Sequence, residues 1–150
     1  MKKALFLSLI LFISTLIVGA QTPKKATSSE IYHNLQKLNF VGSALYIAAH
    51  PDDENTRLIS YLVNDVHAQT TYLSITRGDG GQNLIGPEIR ELLGVIRTQE
   101  LLAARRIDGG QQYFTRANDF GYSKNPDETF TFWNREDIWP SLQIESRTIS

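Results

Sequence analysis

Residues 44–49 (Ala44-Leu45-Tyr46-Ile47-Ala48-Ala49) form an unbroken run of strand length, and the chain turns polar at once in His50-Pro51-Asp52-Asp53-Glu54. Such a run, closed by turn and charged residues, predicts a parallel strand covered on both faces. Just downstream, Leu58, Ile59, Leu62, Val63 and Val66 fall on one stripe, predicting an amphipathic helix over residues 54–66. Residues 70–76 (TTYLSIT) are β-branched and aromatic, as a second strand would be. Strand, crossover helix and strand make a βαβ unit, parallel and right-handed.

Working outward, Ser28 and Ser29 offer N-caps for a helix over residues 30–38, stopped near Gly42. Beyond the second strand lies a glycine-rich loop, residues 77–86 (RGDGGQNLIG). Pro87 suits the first position of a long helix reaching about residue 107, with Ile89, Leu92, Leu93 and Ile96 as its buried stripe. Gly109-Gly110 would end it, and residues 111–115 can form a third strand. From Tyr113 to Trp139 the chain is rich in aromatics interrupted by Asn, Asp, Gly and Pro.

The N-terminus reads as a processing signal. Lys2 and Lys3 precede residues 4–18, which carry no charge, and Val18-Gly19-Ala20 supplies small residues at a cleavage site. Fifteen residues fall short of the ~20 that span a bilayer comfortably, so no stable membrane anchor is expected after cleavage. Residues 1–20 are thus expected to be a signal peptide, residues 21–29 a polar tether, and residues 30–150 the domain. Export would place the protein in a periplasm or outside the cell. The whole chain has 15 basic and 16 acidic residues, a balance that argues against a nucleic-acid partner. With no cysteine, it has neither disulfides nor thiolate chemistry, so any reaction must use His, Asp, Glu, Arg, Ser or Tyr.

His50, Asp52 and Asp53 follow a strand and precede a helix, and open parallel sheets bind ligands beyond the carboxyl ends of their strands. Arg77 leaves the second strand at that same edge. An imidazole nitrogen and a carboxylate oxygen three residues apart can share one metal; such ligands suit zinc, with Fe(II), Mn(II) or Co(II) as other possibilities. The adjacent carboxylate can take a proton from water beside the metal. A plainer role is open to the acids, since Asp caps helices and carboxylates favour the first turn. His50 and Pro51 at the mouth of the strand tilt the reading toward a site.

Ala49-His50-Pro51-Asp52-Asp53-Glu54 resembles the AHPDDE signature of the PIG-L/LmbE family of zinc-dependent N-acetyl-sugar deacetylases. Residues 76–81 (TRGDGG) are similar to its T-R-G-E/D-x-G segment. Arg97-Thr98-Gln99-Glu100 with Ala104 is similar to its R-x-x-E-x-x-x-A helix. The resemblance covers about residues 45–137. It implies an α/β, Rossmann-like, mainly parallel sheet with flanking helices, and removal of acetyl groups from N-acetylglucosamine-type sugars or glycoconjugates. It also implies His50 and Asp53 as zinc ligands, Asp52 as the base acting on zinc-bound water, and Arg77 as a holder of sugar hydroxyls. The family's third zinc ligand is a downstream histidine, which this chain lacks; its other histidines are His33 and His67. His67 precedes the second strand and is expected at the opposite end of the sheet. Residues 139–150 lack the next apolar strand, so the sheet is expected to be incomplete at its C-terminal end and the sequence to be a fragment of a longer domain.

Competing functions are a non-catalytic carbohydrate-binding remnant of the same fold and a metal-dependent phosphoesterase using the paired aspartates. The Arg77-Gly78-Asp79 triplet is better explained as a turn than as an adhesion motif. The glycine loop lacks the lysine and the spacing of nucleotide-binding loops. Arg97 and Glu100 read by default as a helix ion pair. The aromatics could stack on sugar rings or split between core and loop cover.

Overall fold

The computed structural model describes residues 25–136 and 138–140; the expected signal peptide and residues 21–24 of the expected tether lie outside them. The first element among the described residues is helix α1 (Ser28–Lys37), with no buried residue. Its cap is Thr27: the Glu30 N–H donates to Thr27 Oγ1 at 3.2 Å and the Thr27 N–H to Glu30 Oε2 at 2.6 Å. This reciprocal capping box moves the cap one residue ahead of Ser28 and Ser29, which lie inside the helix. The chain divides between His33 and Asn34 into two compact units, and all that follows belongs to the second.

That unit alternates strands and helices: β1 (Ser43–Ala48), α2 (Thr56–Asn64), β2 (Gln69–Ser74), α3 (Glu91–Asp108), β3 (Gln111–Phe114) and α4 (Pro126–Phe132). The three strands form one parallel sheet in the order β1-β2-β3, with Ser43 opposite Gln69 and Thr71 opposite Gln111. The chain therefore has the α/β, Rossmann-like architecture expected of its βαβ pattern. Both crossovers step the same way, which puts α2 and α3 on one face of the sheet, in contact with each other. Ile59 and Val63 of α2, Tyr72 of β2 and Leu101 of α3 form the core, with Tyr46, Ala48 and Phe114 packed against it.

Several expectations shift. β1 is an edge strand and is not covered on both faces: Ile47 is half exposed, whereas β2, in the middle, is buried from Thr70 through Ser74. Helix α2 starts at Thr56, because Asn55 caps it through a hydrogen bond from the Leu58 N–H at 3.0 Å. Asp52, Asp53 and Glu54 thus do not cap it. Replacing Asn55 by alanine is expected to cost about 1 kcal/mol, seen as a lower urea midpoint at unchanged slope.

Helix α3 begins at Glu91, so Pro87 lies outside it, within a loop that Asn83 ties together by accepting from the N–H groups of Ile85 and Gly86. The buried face of α3 matches the apolar stripe in part. Leu93 is buried and Ile96 half-buried, Leu92 is exposed, and Ile89 lies before the helix. Leu101, Arg105 and Asp108 continue the buried face, and there an ion cluster forms: Arg105 donates to both carboxylate oxygens of Asp108 at 3.1 and 2.6 Å, and stands 3.5 Å from Glu54 Oε1. Gly109 ends α3 at φ 80°, the left-handed position that glycine takes freely.

Candidate metal and catalytic site

The turn after β1 is built from beneath by β2 and from the side by α3. Thr76 grips Ala49, donating its N–H and Oγ1 to the Ala49 carbonyl at 2.9 and 3.0 Å. The Tyr72 hydroxyl donates to the His50 carbonyl at 2.6 Å. Burial pushes the Tyr72 phenol well above its ordinary pKa, so it stays protonated and keeps donating. Pro51 is fully buried, and Gly78, at φ 72°, packs against its ring where an added Cβ would come within 3.2 Å. The turn is therefore fixed at its backbone while its polar side chains remain accessible.

Within the turn, Asp53 folds back on His50. Its Oδ2 accepts from the His50 N–H at 2.9 Å and lies 3.3 Å from His50 Nδ1. Asp52 points elsewhere. Its backbone sits at φ 89°, its N–H donates to Glu54 Oε2 at 2.9 Å, and its Oδ2 meets Arg97 Nη2 at 3.0 Å. Arg97 also donates to the Pro51 carbonyl at 2.7 Å; its Nε stands 3.5 Å from Glu100 Oε2 without a hydrogen bond's alignment. The helix ion pair read from the i, i+3 spacing is thus the lesser part of what Arg97 does. Its main contacts tie α3 to the turn.

His50, Asp52 and Arg97 line a cavity of about 290 Å³ closed by Gly78, Gln82, Leu93 and Asp119. Arg77 follows the end of β2, but its side chain lines a neighbouring cavity of about 550 Å³. There its guanidinium lies 4.3 Å from the Phe114 ring centre and donates to Thr98 Oγ1 at 3.2 Å. His67 lies two residues before β2, at φ 64°, in a cavity with Lys37, Gly42 and Ser43 at the amino ends of the strands. It is far from His50, as its place in the chain predicts. His33 belongs to the other compact unit.

The sequence reading overlooked Asp119. Its carboxylate is nearly buried, with Oδ1 3.7 Å from His50 Nε2. The available signal was its place in Asn118-Asp119-Phe120-Gly121, five residues past the carboxyl end of β3 and so on the same sheet edge as His50. Beyond Phe114, the aromatic segment packs on itself outside the core of the sheet. Phe120 stacks on Phe132 at 4.5 Å and meets Trp133 edge-on at 5.5 Å, whereas Tyr122 and Trp139 are exposed. A cavity of about 1010 Å³, lined by Phe130, Trp133 and Trp139 among others, does not include the His50 turn.

The donor pair of the turn has the spacing of two zinc ligands. Two ligands of a tetrahedral zinc, each ~2.0–2.1 Å from it, stand ~3.3 Å apart, the spacing of His50 Nδ1 and Asp53 Oδ2. This pair supplies two positions; among the described residues no group of three or more His, Asp or Glu is arranged to hold a metal.

A parallel α/β sheet with an imidazole–carboxylate pair and a second, separately anchored aspartate at its carboxyl edge places polar groups where such sheets bind ligands. The chain matches the PIG-L family, described as GlcNAc-PI de-N-acetylase, over residues 45–147, and it belongs to that family. Membership brings de-N-acetylase chemistry on N-acetylated sugars at the level of the family. No curated protein matches the chain. No helix among the described residues is long and apolar enough to cross a membrane.

Proposed function

We propose that this chain carries the catalytic turn of a zinc-dependent N-deacetylase acting on N-acetylglucosamine-type sugars or glycoconjugates. The observation that carries the reading is the division within one turn: His50 Nδ1 and Asp53 Oδ2 converge at 3.3 Å, while Asp52 is held apart on Arg97. His50 and Asp53 would hold the metal, which when bound polarises an amide carbonyl and makes water acidic near neutral pH. Asp52 accepts the proton of the attacking water and can pass it to the departing amine nitrogen as the C–N bond breaks. Arg97 keeps the Asp52 carboxylate aimed during both transfers. Arg77, in the adjoining cavity, would meet hydroxyls of a substrate larger than one sugar ring. With the leader expected at residues 1–20, the reaction would take place in a periplasm or outside the cell.

The test is acetate release from an N-acetylglucosamine glycoside by the zinc-loaded protein, with and without a chelator. Acetate release that stops on chelation and returns with zinc is expected. Sugar binding without acetate release would make the chain a carbohydrate-binding remnant, and release of phosphate from a phosphate ester instead would make it a phosphoesterase.

A further inference from the structure

The His50 ring has a carboxylate at each nitrogen, and the two sides differ. Asp53, beside Nδ1, has a side chain 45% exposed; Asp119, beside Nε2, is only 5% exposed. The Nδ1 side has the ~3.3 Å spacing of paired zinc ligands and opens to solvent. The Nε2 side is wider, and Asp119 Oδ1 already accepts from the Gly121 N–H at 2.8 Å. Metal-binding histidines commonly donate their other ring N–H to a carboxylate, which sets both tautomer and ring orientation.

We infer that Asp119 is a positioning residue for His50, accepting the Nε2 proton so that the Nδ1 lone pair is presented to the metal. The inference rests on His50 and Asp53 being metal ligands, as proposed above. At 3.7 Å the contact is not yet a formed hydrogen bond, and a small rotation of the ring toward Asp119 would close it.

Two otherwise unexplained features of the chain converge on this carboxylate. The glycine-rich loop is one: the Asp119 N–H donates to Asp79 Oδ1 at 3.2 Å, and a Cβ on Gly80 would lie 2.5 Å from the Asp119 carbonyl oxygen. Only glycine lets the two backbones approach so closely. The aromatic cluster is the other. Phe120 is held by Phe132 and Trp133, and Trp133 Nε1–H donates to the Asn118 carbonyl at 2.7 Å. Asp119 is thereby fixed from both flanks.

The experiment measures zinc affinity of the full chain by competition with a chromophoric chelator, together with proton–nitrogen spectra of the zinc-loaded, histidine-labelled protein. Asp119→Ala is expected to weaken zinc binding ~10–100-fold, and Asp119→Asn, whose amide oxygen still accepts, to recover much of the loss. The spectra should show Nδ1 metal-bound and Nε2 protonated. Unchanged affinity in Asp119→Ala overturns this inference alone, as does a metal-bound Nε2. A loss as complete as that of His50→Ala would make Asp119 a ligand and also overturn it. Failure of the unsubstituted chain to take up zinc removes the metal reading and this inference together.

Discussion

Replacing Asp52 by asparagine is expected to lower acetate release by ~10²–10⁴-fold while zinc uptake stays at the level of the unsubstituted chain. His50→Ala and Asp53→Ala should instead abolish zinc uptake and activity together. The contrast follows from anchoring. Asp53 is bound to His50 through both a backbone N–H and the ring, whereas Asp52 is bound to Arg97 on another element. Asp53→Asn is a useful companion, since its amide oxygen can keep the bond from the His50 N–H while the anionic ligand is lost. Metal analysis after dialysis, set beside acetate assays, reads out the division. Equal zinc loss in all these variants would show that Asp52 is a ligand and the assignment of roles is wrong.

The largest effect on stability is expected at Arg105. Its side chain is 4% exposed between Glu54 at 5% and Asp108 at 8%. Arg105→Ala leaves two carboxylates buried without their cation, a change that costs about 3–5 kcal/mol where buried pairs are broken on one side. Urea denaturation of the two proteins measures it directly. A loss below about 1 kcal/mol would mean that water reaches the cluster when the guanidinium goes. The site should suffer as well, because Glu54 Oε2 accepts from the Asp52 N–H and so holds the turn in place.

The βαβ unit was legible because its signals are local. Tyr46 and Ile47 of β1, the stripe on α2 and the β-branched β2 each declare their period within a few residues. The turn between them was legible for the same reason: His50, Asp52 and Asp53 are adjacent in the chain. What the sequence concealed depends on tertiary contact. Arg105 and Asp108 look like ordinary surface charges on a helix, and only their pairing with Glu54 puts them inside. That pairing carries the buried face of α3 onto charged residues that its apolar stripe does not include. Asp119 lies 69 residues from His50, with no motif of its own, and meets it because β3 ends at the same sheet edge. Arg77 is the opposite case: chain position puts it at the correct edge, and tertiary contacts with Phe114 and Thr98 then set its side chain in the adjoining cavity.

The positive φ of Asp52 carries a consequence for how this turn can vary through evolution. Left-handed backbone is comfortable for glycine, tolerable for asparagine, aspartate and histidine, and it penalises bulky and β-branched side chains. The proton transfer proposed for Asp52 makes a second, unrelated demand: a carboxylate. Glycine and asparagine satisfy the first demand and fail the second, while glutamate does the reverse. Of the two carboxylate side chains only aspartate meets both, so exchanging one acid for the other at this position strains the turn even though the charge is kept.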